Sequence, residues 1–187
     1  GTSLVELADE YERLVARDIQ SELSNPDLSR RQKVALEDAE GALRMSMIGQ
    51  IKSSPVTFRH LAMLAQVKSD GEILGSIGPN LKDRLARMRN WINGPHFPEE
   101  LRISVLEVPM QGLDTQITGS LRRKLSDCEW NSKQIGESIS AAFKDEEISP
   151  KEGYRNLYLA ILGVEKGPRL APILAELDRE HVLNLLG

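Results

Sequence analysis

The stretch LKDRLARMRNW carries Lys82, Arg84, Arg87 and Arg89 with a single acid, Asp83, and SLRRKL adds Arg122, Arg123 and Lys124. Leu81, Leu85, Met88 and Ile92 recur at the spacing of one helix face, so the cations of the first stretch flank that face and point to water. Cations grouped in this way can follow a phosphate backbone. The plainer alternative is a solvated helix face whose long stems cover apolar surface while the charged heads stay wet. On sequence alone the plainer alternative weighs more. Trp91 follows the first cluster and is the aromatic best placed to stack an unpaired base, an interaction of about 1–3 kcal/mol per base. The other rings have local roles. Tyr154 and Tyr158 share one helical face directed inward, Phe58 reads as core, and Trp130 stands where a hydrophobic staple would pair it with Ile135.

A third cationic group lies in LYLAILGVEKGPRLAPILAEL, where Lys166 and Arg169 sit in a glycine- and proline-containing loop between two apolar stretches. If Pro168 opened a helix, Arg169 would fall in the first turn, where the dipole disfavours a cation by about 0.3–1 kcal/mol. Pro172 would then interrupt the hydrogen-bond ladder. A start nearer Ala171, with residues 167–170 as a shaped loop, avoids both problems. Arg169 either clamps a carboxylate such as Glu165 or Glu176, or presents its guanidinium to a phosphate or a base edge.

Catalytic constellations are missing from the pattern. His60, His96 and His181 lie far apart without metal-ligand spacing, and Cys128 has no nearby histidine. Glu146 and Glu147 are adjacent, so they point in different directions on a helix. No glycine-rich phosphate loop follows a strand. The expectation is therefore no catalytic residue, no metal site and no cofactor held by this chain.

The elements that must position the three cationic groups are helical. Apolar residues make up 40% of the 187, charged residues 28% and aromatics 4%, and the net charge is -4. That balance favours helices, leaves enough apolar material for a core, and argues against coating nucleic acid by bulk charge while allowing a local basic patch. No apolar run is long enough to span a bilayer. Acidic groups run through residues 1 to 23, unlike a signal peptide. One cysteine fits a reducing, cytoplasmic setting.

The spacing predicts helices over about 4–23 and 29–47, forming an N-terminal hairpin (residues 1–53). The first would carry Leu4, Leu7, Tyr11 and Leu14 on its apolar side, and the second Val34, Leu36, Leu43 and Met47. Residues 54–187 form the rest. A helix starts at Ser54-Pro55, a short one spans SDGEILGSIG, another covers 79–93, and NGPHFPEE is a turn. LRISVLEV alternates imperfectly and fits either helix or extended chain, with helix preferred, and Gln111 to Leu125 is helical. Ser29/Gln32 and Asn131/Gln134 read as capping boxes, and Ser149-Pro150-Lys151-Glu152 as a further cap. Gly163 ends a helix. The count is eight to ten helices and no strand: an all-α, multi-helix bundle.

FRHLAMLAQV, WINGPHFPEELR and LYLAILGVEKGPRLAPILAELDREHVLNLL together resemble the C-terminal part of class I lysyl-tRNA synthetases, from about residue 9 to the end. The most specific pieces are Phe58-Arg59-His60-Leu61 with Gln66, Trp91 with Pro98-Glu99, Trp130, and Tyr158 with Gly163 and Gly167-Pro168-Arg169. GPHF before Pro98 and Pro172 depart from that pattern. The terminal segment is also similar to the end of glutamyl-tRNA synthetases. The resemblance implies an α-helix cage that holds the tRNA anticodon, with tRNA-Lys and the catalytic domain of the same polypeptide as partners, in a monomer. It implies that ATP is used by a catalytic half whose two signature motifs are not in this sequence. The chain would then be one region of such an enzyme, or a stand-alone tRNA-binding paralogue without catalysis. Candidate RNA contacts are Arg84, Arg87, Trp91, Arg122, Arg123, Lys166 and Arg169. A helical protein-interaction scaffold, favoured by the net charge and the scarce aromatics, is the alternative from a different class.

Overall fold

The computed structural model describes residues 2–46 and 54–187. Among the described residues there are eleven α-helices and no strand, so the all-α class holds and the helix count exceeds the eight to ten expected. The chain divides into two compact units, Gly1–Leu61 and Ala62–Gly187.

The first unit contains α1 (Thr2–Ala16), α2 (Ile19–Leu23) and α3 (Arg30–Ser46), with α1 and α2 both packed on α3. The single helix expected over 4–23 is broken. Asp18 accepts a hydrogen bond from the Ser21 backbone N–H at 3.1 Å and so starts α2 as its N-cap. The Ser29–Gln32 capping box forms, with the Ser29 N–H donating to Gln32 Oε1 at 3.0 Å and the Gln32 N–H to Ser29 Oγ at 3.4 Å. The expected apolar side of α1 is corrected. Leu4 and Leu7 are 52% and 63% exposed, whereas Val5 and Asp9 are buried. Asp9 tolerates burial because it accepts from the Arg59 backbone N–H at 3.0 Å and from Arg59 Nε at 3.2 Å. Met47, assigned to the second apolar side, lies outside the described residues.

The division falls within α4 (Phe58–Val67). Then come α5 (Asp70–Ile77), a 3-10 turn at Pro79–Leu81, α6 (Lys82–Ile92), α7 (Thr115–Ser126), α8 (Ser132–Asp145), α9 (Pro150–Leu162), α10 (Leu170–Glu176) and α11 (Arg179–Leu185). Helix α7 packs on α8, α9 and α11, and α8 also carries α10. Leu121, Leu125, Ile135, Ile139, Leu157 and Ile161 are each 0% exposed at the centre of these helices. Burial of each such side chain contributes about 1.5–3 kcal/mol.

Several boundaries differ from the pattern reading. Helix α4 starts at Phe58, because Thr57 Oγ1 accepts from the His60 N–H at 3.2 Å while Ser54 closes a local turn with Val56. Helix α7 starts at Thr115 rather than Gln111, because Asp114 accepts from the N–H groups of Gln116 and Ile117. Residues 102–106 form no helix, and Arg102 at their start has extended backbone. Gln66 brackets that segment, donating to the Leu101 carbonyl at 3.0 Å and accepting from the Ile103 N–H at 2.9 Å. The Leu106 N–H then donates to Ile161 O at 2.9 Å, and the His181 ring meets Leu106 O at 2.9 Å. Tyr154, expected inside, is exposed and sets its ring edge-on to Phe143 at 5.2 Å.

The Asn131 cap forms only half its box. Its side chain accepts from the Gln134 N–H, but its own N–H is taken by Glu129 O. The Trp130 indole donates to Leu177 O at 3.0 Å and lies under the Arg179 guanidinium at 5.7 Å, so it joins the start of α8 to the end of α10. Ser149 and Pro150 open α9 as read, and Gly163 closes it at φ 68°, a conformation that favours glycine.

Candidate nucleic-acid interface

All seven candidate contacts lie in the second unit, but their side chains differ in what they already hold. On α6, Leu85, Met88 and Ile92 are buried, which leaves Arg84, Arg87 and Trp91 on another face at helical spacing. Arg87 is exposed and makes no hydrogen bond or ion pair with any described residue. Arg84 is partly buried, and that burial lowers its pKa from the ordinary value; an arginine remains charged regardless. Trp91 is half-buried, with its ring edge-on to Phe97 at 4.8 Å and 79°.

Arg89 does not belong with these outward groups. It donates to the Ala65 and Lys68 carbonyls at the end of α4 and pairs with Asp70 at 2.7 Å, so it ties α4, α5 and α6 together. The α4 carbonyls at that end have no partner within their own helix, and the guanidinium fork satisfies two of them.

On α7 the cations are engaged with neighbours. Arg122 donates to Gly187 O, Arg123 pairs with Glu146 at 3.3 Å, and Lys124 pairs with Asp145 at 2.6 Å. Glu146 is held below its ordinary pKa, first by a hydrogen bond from Gln116 and then by Ser120 and Arg123. Lys124 holds Asp145 below its ordinary value. Exposed pairs of this kind contribute about 0–1 kcal/mol each, so an anionic ligand could compete for Arg123 at little cost.

The loop between α9 and α10 holds Lys166 and Arg169. Arg169 is the N-cap residue of α10, at φ −54° and ψ 120°, and supplies no side-chain cap. Pro172 is then the third residue of the helix, where its missing N–H costs no hydrogen bond. The helix therefore starts one residue earlier than the Ala171 expected. Neither carboxylate considered as a clamp is used. Glu165 pairs with Arg155 and Glu176 with Lys68, and Arg169 makes no hydrogen bond or ion pair with any described residue.

Beside this loop runs an open groove of about 750 Å³, lined by Leu162, Val164 and Lys166 on one side and Glu99, Glu100 and Arg102 on the other. Arg102 connects the groove to Trp91. Its guanidinium lies 5.3 Å from the centre of the Phe97 ring, against which Trp91 packs. Of the seven candidates Lys166 lines this groove, and Arg84, Arg87, Trp91, Arg122, Arg123 and Arg169 do not. Arg102 and Phe97 were absent from the candidates, and the available signal was PHFPEELR itself, with an arginine three residues after Glu99.

No group of histidine, cysteine, aspartate and glutamate among the described residues could hold a metal ion. No described helix is long and apolar enough to cross a membrane.

No protein-family model matches the chain. Curated proteins do. The chain is 28% identical over 211 residues to the lysine–tRNA ligase of Thermococcus kodakarensis, an alignment covering 100% of this chain and 38% of that protein. It is 24% identical over 198 residues to the lysine–tRNA ligase of Thermoplasma volcanium, covering 98% of this chain and 37% of the relative. The lysine–tRNA ligase of Pyrococcus horikoshii is 30% identical over 114 residues, or 57% of this chain and 21% of that ligase. By sequence the chain is similar to archaeal lysine–tRNA ligases, matching one region of them that makes up less than two-fifths of their length.

Proposed function

We propose that this chain is the C-terminal, tRNA-binding region of a class I lysyl-tRNA synthetase, and that it holds the anticodon end of tRNA-Lys. The observation that carries this reading is the match to lysine–tRNA ligases over essentially the whole chain. The structure supports it with an all-helical body and with exposed cations, Arg87, Lys166 and Arg169, that form no ion pair with a described residue. The role is one of binding and orientation. Arg87, Lys166 and Arg169, joined by Arg84, Arg122 and Arg123, position the RNA through its phosphates, and Trp91 stacks a splayed base. Lysine activation with ATP belongs to the catalytic part of the enzyme, outside these residues. The region works as a monomer in the cytoplasm.

Titration of the chain with tRNA-Lys at several salt concentrations tests the reading. If the three uncommitted cations each displace a counterion, the logarithm of the binding constant falls against the logarithm of salt with a slope of about −2 to −3. A slope near zero, or no binding, would favour the protein-interaction scaffold, for which the exposed Val108, Met110 and Val164 are the supporting observation.

A further inference from the structure

The side chain that shapes the Lys166–Arg169 loop is Tyr158 of α9. Its hydroxyl lies 2.8 Å from the Pro168 carbonyl oxygen and 3.1 Å from that of Gly167, and its single proton is shared between them. Its ring lies against Gly167, where an added Cβ would come within 3.4 Å of Tyr158 Cε1. Burial, followed by the neighbouring Tyr154, pushes the phenol above its ordinary pKa of 10.0, so it stays protonated and able to donate. With two successive carbonyls held and φ of Pro168 fixed by its ring, the backbone entering Arg169 has little freedom.

Arg169 is a poor choice for its own position on local grounds. Ser, Thr, Asp or Asn at an N-cap is better than a residue that supplies no side-chain cap. A cation at the positive end of a helix adds to the cost. No hydrogen bond or ion pair with a described residue offsets either effect. A residue that breaks a local rule with no internal compensation is expected where function is located. The rigid loop therefore serves to present the side chain, not to pack it.

We propose that Tyr158 is a positioning residue for RNA binding: by holding the Gly167 and Pro168 carbonyls, its hydroxyl fixes the loop from which Arg169 meets an RNA phosphate. The inference rests on the function proposed above and adds to it a residue that touches no RNA.

The test is a double-mutant cycle on the full 187-residue chain. Wild type, Tyr158→Phe, Arg169→Ala and the double variant are titrated with a tRNA-Lys transcript, at a temperature where melting curves show all four folded. Phenylalanine keeps the ring against Gly167 and removes only the donor. Tyr158→Phe is expected to weaken binding about three- to tenfold and to flatten the salt slope by about one, as loss of the Arg169 phosphate contact would. In the Arg169→Ala background the same change has no further effect on affinity. The inference is overturned if Tyr158→Phe binds like wild type, or if the two losses multiply in the double variant; either result leaves tRNA binding itself intact. Failure of the wild-type chain to bind at all would instead remove the function on which the inference rests.

Discussion

Arg89 and Arg87 lie one turn-half apart on α6, and the structure assigns them opposite roles. Replacing Arg89 with alanine removes three interactions. The Asp70 pair is partly exposed, at 32% and 58% for the two side chains, so after solvent screening it is worth about 0–1 kcal/mol. The two carbonyl contacts matter more. Ala65 is only 1% exposed, and its oxygen loses a charged donor. Lys68 O loses another at 2.8 Å. Hydrogen bonds to a charged group contribute about 1.5–3 kcal/mol each, but one guanidinium serves both and the Lys68 end is partly wet. The expected destabilisation is therefore about 2–3 kcal/mol, from loss of a buried acceptor's partner. Urea titration followed by tryptophan fluorescence reads the right part of the molecule, since both tryptophans, Trp91 and Trp130, lie in the second unit. Arg87→Ala should leave the unfolding free energy from the urea titration within about 0.5 kcal/mol of wild type and weaken tRNA binding. Equal midpoints for the two variants, or a destabilised Arg87→Ala, would refute the assignment.

Two other outcomes follow from the packing and the charges. In Gly153→Ala the new Cβ falls within 2.6 Å of Cδ1 and Cζ of the buried Phe143, and overpacking of about 1–3 kcal/mol outweighs a helix-propensity gain of about 1 kcal/mol. Gly136→Ala meets only Ala171 Cβ at 3.7 Å and should not destabilise, so equal urea midpoints for the two would contradict the packing. Glu146 has a lowered pKa, so its contribution is present above the unfolded value near 4.5 and disappears as pH falls through the folded value. Glu146→Gln should therefore flatten the loss of stability below that pH, measured as urea midpoint against pH; an unchanged acid limb would show that the Gln116 and Arg123 contacts carry no linkage.

The legible parts of the fold were those written in local chemistry. The Ser29–Gln32 box, the Ser149-Pro150 start and the Gly163 stop depend on residues within a few positions of one another, and all three are found. The 102–106 segment was misread because its conformation is set by Gln66, Ile161 and His181, groups far away in the chain. For the same reason the pattern placed Arg89 and Arg87 in one basic cluster. Arg87 lies nearly opposite Leu85, whereas Arg89, four residues after Leu85, borders the buried face, and the folded position of the α4 end supplies its partners. The 163–169 loop was half legible: glycine, proline and arginine in a row announced a shaped turn, but the Tyr158 clamp and the pairing of Glu165 and Glu176 with other cations could not be read from spacing.

The most direct test of the proposed function compares the binding of the chain to wild-type tRNA-Lys with its binding to transcripts in which single anticodon bases are substituted, at fixed salt. A region that holds splayed anticodon bases predicts a loss of about tenfold or more for at least one substitution, the scale of one lost stacking or edge contact of about 1–3 kcal/mol. Equal affinity for every anticodon variant would contradict anticodon binding, while leaving the helical fold and its internal ties unaffected.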